Sequence, residues 1–169
     1  MKLKTTILLL IITVCSIQMN AQKCKYDFDK EDPMTNERVR RNSYKMKSFF
    51  TLSMYRKANE NRIEVNVALA GEQNYRVEKG DKIFIKLGDD SLLTLTTADV
   101  ANPVSYVQGY QVATNYAISY NISKEEVEKI SKSGIAVTRL KLAEQEMTIE
   151  SSKREIRKTA EGASCMLVD

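Results

Sequence analysis

Residues 104–122 read Val-Ser-Tyr-Val-Gln-Gly-Tyr-Gln-Val-Ala-Thr-Asn-Tyr-Ala-Ile-Ser-Tyr-Asn-Ile, the longest patterned stretch in the chain. Even positions carry Val104, Tyr106, Tyr110, Val112, Tyr116, Ile118, Tyr120 and Ile122, while odd positions are mostly small or polar. Successive side chains on a strand point to opposite faces, so this alternation predicts β-structure with one apolar face. Nineteen residues of constant parity predict one long bent strand, or two strands joined without a register slip. Gly109 or the region 113–115 would carry the bend. On this reading Tyr106, Tyr110, Tyr116 and Tyr120 share a face. Such a row could form an aromatic binding surface for a glycan or peptide. The interleaved valines and isoleucines favour a core or half-buried sheet face instead.

Strand patterns recur on either side. Tyr44, Met46, Phe50, Leu52 and Met54 share one parity and predict a half-buried strand. A turn over 57–62 follows, and Ile63, Val65, Val67 and Leu69 then alternate to complete a hairpin. Ile83, Ile85 and Leu87 lead through Gly88-Asp89-Asp90-Ser91 to Leu93 and Leu95, a second hairpin with turn chemistry at its centre. Ser123 and Glu126 form a capping box that opens a short helix, which Gly134 ends. Two more strands are expected over 135–142 and 147–149. Ser152 and Glu155 open a second helix with Ile156, Ala160, Ala163 and Leu167 at helical spacing.

Few of these strands are separated by the long helical crossovers a parallel sheet needs. The expected fold is α+β, mainly β: an antiparallel sheet or small β-sandwich with a short helix and a C-terminal helix packed on it. A small closed β-barrel is the alternative. Six glycines and two prolines argue against a disordered or linker-rich chain.

Residues 1–21 have the three-part layout of a secretory signal peptide: Lys2 and Lys4, an eleven-residue apolar run from Ile7 to Ile17, and a polar exit at Gln18, Asn20 and Ala21. Eleven residues of helix rise about 16 Å, too little for a bilayer core of roughly 30 Å. Cys15 lies inside the run and Cys24 follows Lys23, settings that suit lipoprotein processing poorly. The expected organisation is a signal peptide over 1–21, an extended N-terminal arm over 22–42 with Pro33, and a single β-rich domain over 43–169. No later stretch reaches spanning length, so no transmembrane segment is expected after cleavage.

The chain after residue 21 carries 24 basic and 22 acidic residues, a net charge of +2 that gives little drive toward nucleic acid. Histidine is absent, which excludes Ser-His-Asp and Cys-His catalysis and histidine-ligated zinc or copper. Tryptophan is absent too. No cofactor-binding motif is found. Asp27, Asp29, Glu31 and Asp32 alternate like the start of a calcium loop, but Pro33 and Arg38 fall where a glycine-led turn and a closing acid belong. Pairing of these acids with Arg38, Arg40 and Arg41 is the blander reading. Arg38, Arg40, Arg41, Lys45 and Lys47 form a small basic cluster that reads as a solvated strand face, with polyanion or anionic membrane binding as the functional version.

Two cysteines remain after the leader, Cys24 and Cys165. In an oxidising compartment an intramolecular disulfide is the leading reading; two free thiols and a redox pair are the alternatives. Closing so long a loop would destabilise the unfolded chain by about 4–5 kcal/mol.

Asn20-Ala21-Gln22, Cys24-x-Tyr26 and the Asp32-Pro33-Met34-Thr35 turn resemble a group of small exported β-rich proteins of unknown function from Bacteroidota. The resemblance covers about the first fifteen residues after the leader. It implies a Gram-negative periplasm or outer surface, or secretion, and supplies no mechanism. The sequence therefore points to an exported envelope or secreted β-domain, a binding or structural protein with an envelope protein or glycan as partner. A carboxylate-based hydrolase acting on a glycan and a barrel-like carrier of a small apolar ligand are the competing readings.

Overall fold

The computed structural model describes residues 24–168, so the leader expected over 1–21 lies outside the described residues. Among the described residues ten strands build two curled antiparallel sheets that together form a half-barrel, and two helices pack beside them. The larger sheet has the order β1-β2-β3-β4-β8-β7, formed by Phe28–Glu31, Arg38–Lys47, Phe50–Lys57, Glu60–Ala70, Gln111–Ile122 and Val104–Gln108 respectively. The smaller has the order β10-β9-β5-β6, formed by Gln145–Glu150, Ile135–Leu142, Lys82–Leu87 and Leu92–Thr96. Helix α1 spans Lys124–Ser133 and helix α2 spans Lys153–Met166. The expected α+β, mainly β fold with a C-terminal helix is what the chain adopts. The sheets do not close into a barrel: each keeps two edge strands.

Alternation decides which side chains enter the core. Leu52, Val65, Val67, Tyr116 and Ile118 from the larger sheet face the same interior as Ile83, Ile85, Leu87 and Leu140 from the smaller, all 2 % exposed or less. Each fully buried aliphatic side chain contributes about 1.5–3 kcal/mol. A backbone bridge between Thr97 and Tyr120 ties the end of β6 to β8. The two helices pack on each other, and α2 also touches β2, β3 and β9. Both capping boxes form: Ser123 with Glu126 on α1, and Ser152 with Glu155 on α2. Gly134 ends α1, its N–H donating to the Ile130 carbonyl at 2.7 Å.

The parity runs resolve differently from the strands expected of them. Residues 43–54 are not one strand but β2 and β3 joined by a turn at 48–49. A bulge between Lys45 and Lys47 shifts the register, so Tyr44 stays opposite Leu52 and the apolar parity survives the turn. Residues 104–122 form the hairpin β7–β8, with Gly109 at φ 64° in a two-residue turn. No bulge intervenes, so even positions of β7 share a face with odd positions of β8: Tyr106 pairs with Ala113, and Ser105 with Thr114. Parity inverts across the turn. Tyr116 and Tyr120 are buried at 1 % and 2 % exposure, whereas Tyr106 and Tyr110 are exposed at 41 % and 107 %. The four tyrosines do not share a face.

Much of the arm expected over 22–42 is sheet. β1 pairs with β2, and β2 begins at Arg38, five residues before the expected domain boundary. The inward positions there are polar, Arg40 and Asn42, which hides the strand from a hydrophobic pattern. On α2 the buried stripe is Thr159, Gly162, Ala163, Cys165 and Met166, while Ile156, Ala160 and Leu167 are half-buried. The helix is rotated from the expected face because Gly162 lies against the Tyr44 ring.

Candidate functional site

An open cleft of about 990 Å³ lies between β2 and α2. Lys25 and Asp27 line it from the segment before β1, Asn42, Ser43, Tyr44 and Lys45 from β2, and Ser152, Arg154, Glu155, Lys158, Glu161, Gly162 and Cys165 from α2 and its cap. The Cys24–Cys165 disulfide holds the two walls together, with Cα atoms 5.5 Å apart across 141 residues of sequence. The Tyr26 hydroxyl donates to the Cys165 carbonyl at 2.7 Å. Helix α2 has no basic residue in its own last turn. Arg56 of β3 supplies one from across the fold, its Nη1 donating to the Met166 carbonyl at 2.6 Å, and Arg40 reaches the Val168 carbonyl. Cations at a helix C-terminus meet the negative end of its dipole.

The charges lining the cleft fall into two groups. Its carboxylates are engaged. Asp27 Oδ2 accepts the Ser43 N–H at 2.6 Å, Glu155 Oε2 accepts the Ser152 N–H at 2.6 Å, and Glu161 lies 3.6 Å from Arg157. The Ser152 hydrogen bonds hold the Glu155 carboxyl below its usual range, helped by the nearby charges of Lys47 and Lys158. The four cations Lys25, Lys45, Arg154 and Lys158 make no ion pair within 4.0 Å among the described residues. Beside them the hydroxyl of Tyr44, a residue only 9 % exposed, has no hydrogen-bond partner among the described residues. Burial pushes its pKa up, with the charges of Asp27 and Glu161 adding to the shift. The Asn42 amide nitrogen, oriented to satisfy its neighbours, donates to the Lys25 carbonyl at 3.0 Å.

A glycan hydrolase needs a carboxyl group raised in pKa to act as acid. Among the described residues every carboxyl with a clearly shifted pKa is shifted down: Glu155 in the cleft, and Asp29, Asp32, Asp89 and Glu125 elsewhere. An apolar carrier needs an interior cavity of several hundred Å³. The apolar void under α1, lined by Met54, Ile63, Ile122, Val127, Ile130 and Met166, is about 10 Å³.

Two acids of the run that resembles a calcium loop, Asp29 and Asp32, are taken up in ion pairs. Asp29 accepts from Arg38 at 2.7 and 2.8 Å and lies 3.9 Å from Arg40, while Asp32 pairs with Lys57 at 3.0 Å and caps the Met34 N–H at 2.9 Å. Among the described residues no cluster of three or more His, Cys, Asp or Glu side chains is arranged to hold a metal ion. The basic cluster is divided by the pleat. Arg38 and Arg40 fall on one face and Arg41, Lys45 and Lys47 on the other, and of the five only Arg40, beneath the end of α2, is buried.

Of the cysteines and tyrosines singled out by sequence, only Cys165 lines the cleft. Lys45 belongs to the basic cluster named from sequence and also lines the cleft, whereas Lys25, Arg154 and Lys158 had no such prominence. One signal existed: Arg154 and Lys158 are like charges four apart on a helix, a mildly destabilising spacing.

Among the described residues no helix is long and apolar enough to cross a membrane. Compared with protein-family models, curated proteins and solved structures, the chain matches none.

Proposed function

We propose that this protein is an exported, non-enzymatic binding domain of a Gram-negative envelope that holds an anionic glycan in the cleft between β2 and α2. One observation carries the reading: the cleft's carboxylates are committed to backbone amides and to Arg157, while Lys25, Lys45, Arg154 and Lys158 make no ion pair within 4.0 Å among the described residues. Carboxylate or phosphate groups on a ligand would supply what these cations lack. A glycan is favoured over a peptide because most of the residues that line the cleft are polar or charged, and none is a large aliphatic side chain. The disulfide supports export, since such bonds persist outside the reducing cytosol.

Calorimetric titration of the mature chain with uronic-acid oligosaccharides, and with neutral ones of equal length, tests the ligand. The acidic series should bind and weaken as salt rises, and the pair Lys45→Glu, Lys158→Glu should reduce affinity about tenfold or more. Equal binding of neutral and acidic sugars, or no response to the double charge reversal, would refute it. Cell fractionation with intact-mass analysis tests the address: the chain should start after Ala21 and weigh two hydrogens less than its reduced form.

A further inference from the structure

Between Asp99 and Lys124 the chain runs 24 residues, 100–123, without a charged side chain, although 28 % of all its residues are charged. This run contains the β7–β8 hairpin, and β7 is the outer strand of the larger sheet. Val104, Tyr106, Val107, Tyr110 and Val112 are exposed at 64 %, 41 %, 73 %, 107 % and 42 %. They lie within nine residues and flank one strand edge on both sides, Val107 and Val112 on one face of the hairpin and Val104 and Tyr106 on the other. Soluble proteins usually guard an edge strand with a charge, a proline or a bulge. β7 has none of these: its sequence is Val-Ser-Tyr-Val-Gln and its register with β8 is unbroken. The other edges differ. β1 (Phe-Asp-Lys-Glu) and β10 (Gln-Glu-Met-Thr-Ile-Glu) carry charges, and the chain leaving β6 is tied to β8 by the Thr97–Tyr120 bridge and the Ala98 N–H to Ser119 carbonyl bond at 2.8 Å.

The ladder shows which backbone groups are open. The Val112 carbonyl turns toward β4, accepting the Gly71 N–H at 2.8 Å. Its cross-strand partner Val107 therefore turns its own N–H and C=O away from β8, and by alternation Ser105 does the same. We infer that β7 is a homodimer edge, pairing antiparallel with β7 of a second copy so that the two larger sheets become one. The charge pattern selects this partner. In a two-fold pairing every side chain meets the same strand reversed, so a charged edge opposes its own charges and an uncharged one does not. Centred on Tyr106, the pairing sets Ser105 of each copy against Val107 of the other and uses all four open amide and carbonyl groups on each strand. It also covers part of the valine and tyrosine surface on both faces.

Sedimentation velocity on the mature, disulfide-bonded chain over a micromolar concentration series tests the inference, with amide hydrogen exchange at the same concentrations. The expected result is a monomer–dimer equilibrium in which exchange at Ser105 and Val107 slows as concentration rises. Val107→Lys sits on an exposed side chain and should keep the melting temperature while weakening the dimer about tenfold or more. Leu92→Lys, equally exposed on β6, should leave it intact. A monomer at every concentration, a dimer indifferent to Val107→Lys, or one lost in Leu92→Lys alone would each overturn the proposal.

Discussion

Replacing Tyr44 by Phe should make this protein more stable. The Tyr44 hydroxyl is buried with no hydrogen-bond partner, and Gly162 of α2 lies over it so closely that a methyl group at 162 would overlap it. Leaving a buried hydroxyl unpaired costs about 1–3 kcal/mol, which Phe avoids. The space vacated by one oxygen returns about 0.3 kcal/mol of that as lost packing. The net gain is about 1–2 kcal/mol, or roughly 3–6 °C in melting temperature for a domain of this length. The neighbouring glycine provides a second measurement. Gly162→Ala would ordinarily gain about 0.5–1 kcal/mol by helix propensity. Here its Cβ would also lie 2.8 Å from Tyr44 Cζ, and the overpacking costs about 1–3 kcal/mol or more. With the hydroxyl gone the overlap is smaller, so the two substitutions should couple by about 1 kcal/mol or more in a double-mutant cycle. Urea melts of the oxidised wild type, both single variants and the double variant would measure this. A Tyr44→Phe variant less stable than wild type, or strictly additive effects, would show that the hydroxyl is satisfied and that Gly162 is not set by it.

Removing the disulfide as Cys24→Ser with Cys165→Ser should lower stability by about 4–5 kcal/mol, because the bond closes 141 residues of sequence in the unfolded chain; a chemical-denaturation difference under 1 kcal/mol would contradict this. Asp89 gives the acid limb of the stability profile a named contributor. Hydrogen bonds from the Ser91 and Ser133 hydroxyls and the Ser91 N–H depress its pKa from 3.8 to about 2. The unfolded chain therefore binds the proton first: this stabilisation is present above pH 3.8 and is lost as pH falls toward 2. The urea midpoint of wild type should drop more steeply over that interval than that of Asp89→Asn, and parallel profiles would remove Asp89 from the account.

Elements whose signals are local in sequence were readable. The β5–β6 hairpin carries its turn residues between two alternating runs, and each helix announces itself with a Ser-x-x-Glu box. Where strands meet was not readable. The apolar parity of 43–54 and that of 104–122 look alike, yet each run contains a turn. In the first a bulge keeps the faces in step; in the second its absence puts Tyr106 and Tyr110 on surfaces that Tyr116 and Tyr120 never reach. Thr159 and Gly162 on the buried face of α2 are equally silent to a hydrophobic scale. Their burial depends on what lies opposite: the Ile135 N–H, which the Thr159 hydroxyl accepts at 2.9 Å, and the Tyr44 ring.

The amino-acid order alone pointed to an antiparallel, mainly β chain with two late helices, and to a bridge between Cys24 and Cys165 as the leading expectation, because periodicity, caps and residue counts are properties of short stretches. Tertiary structure alone decided which tyrosines are core, that Arg40 points inward beneath the chain's last turn, and that Lys25, Lys45, Arg154 and Lys158 gather around one cleft. Those outcomes hang on a single-residue bulge and on contacts across more than a hundred residues, and no local pattern encodes either.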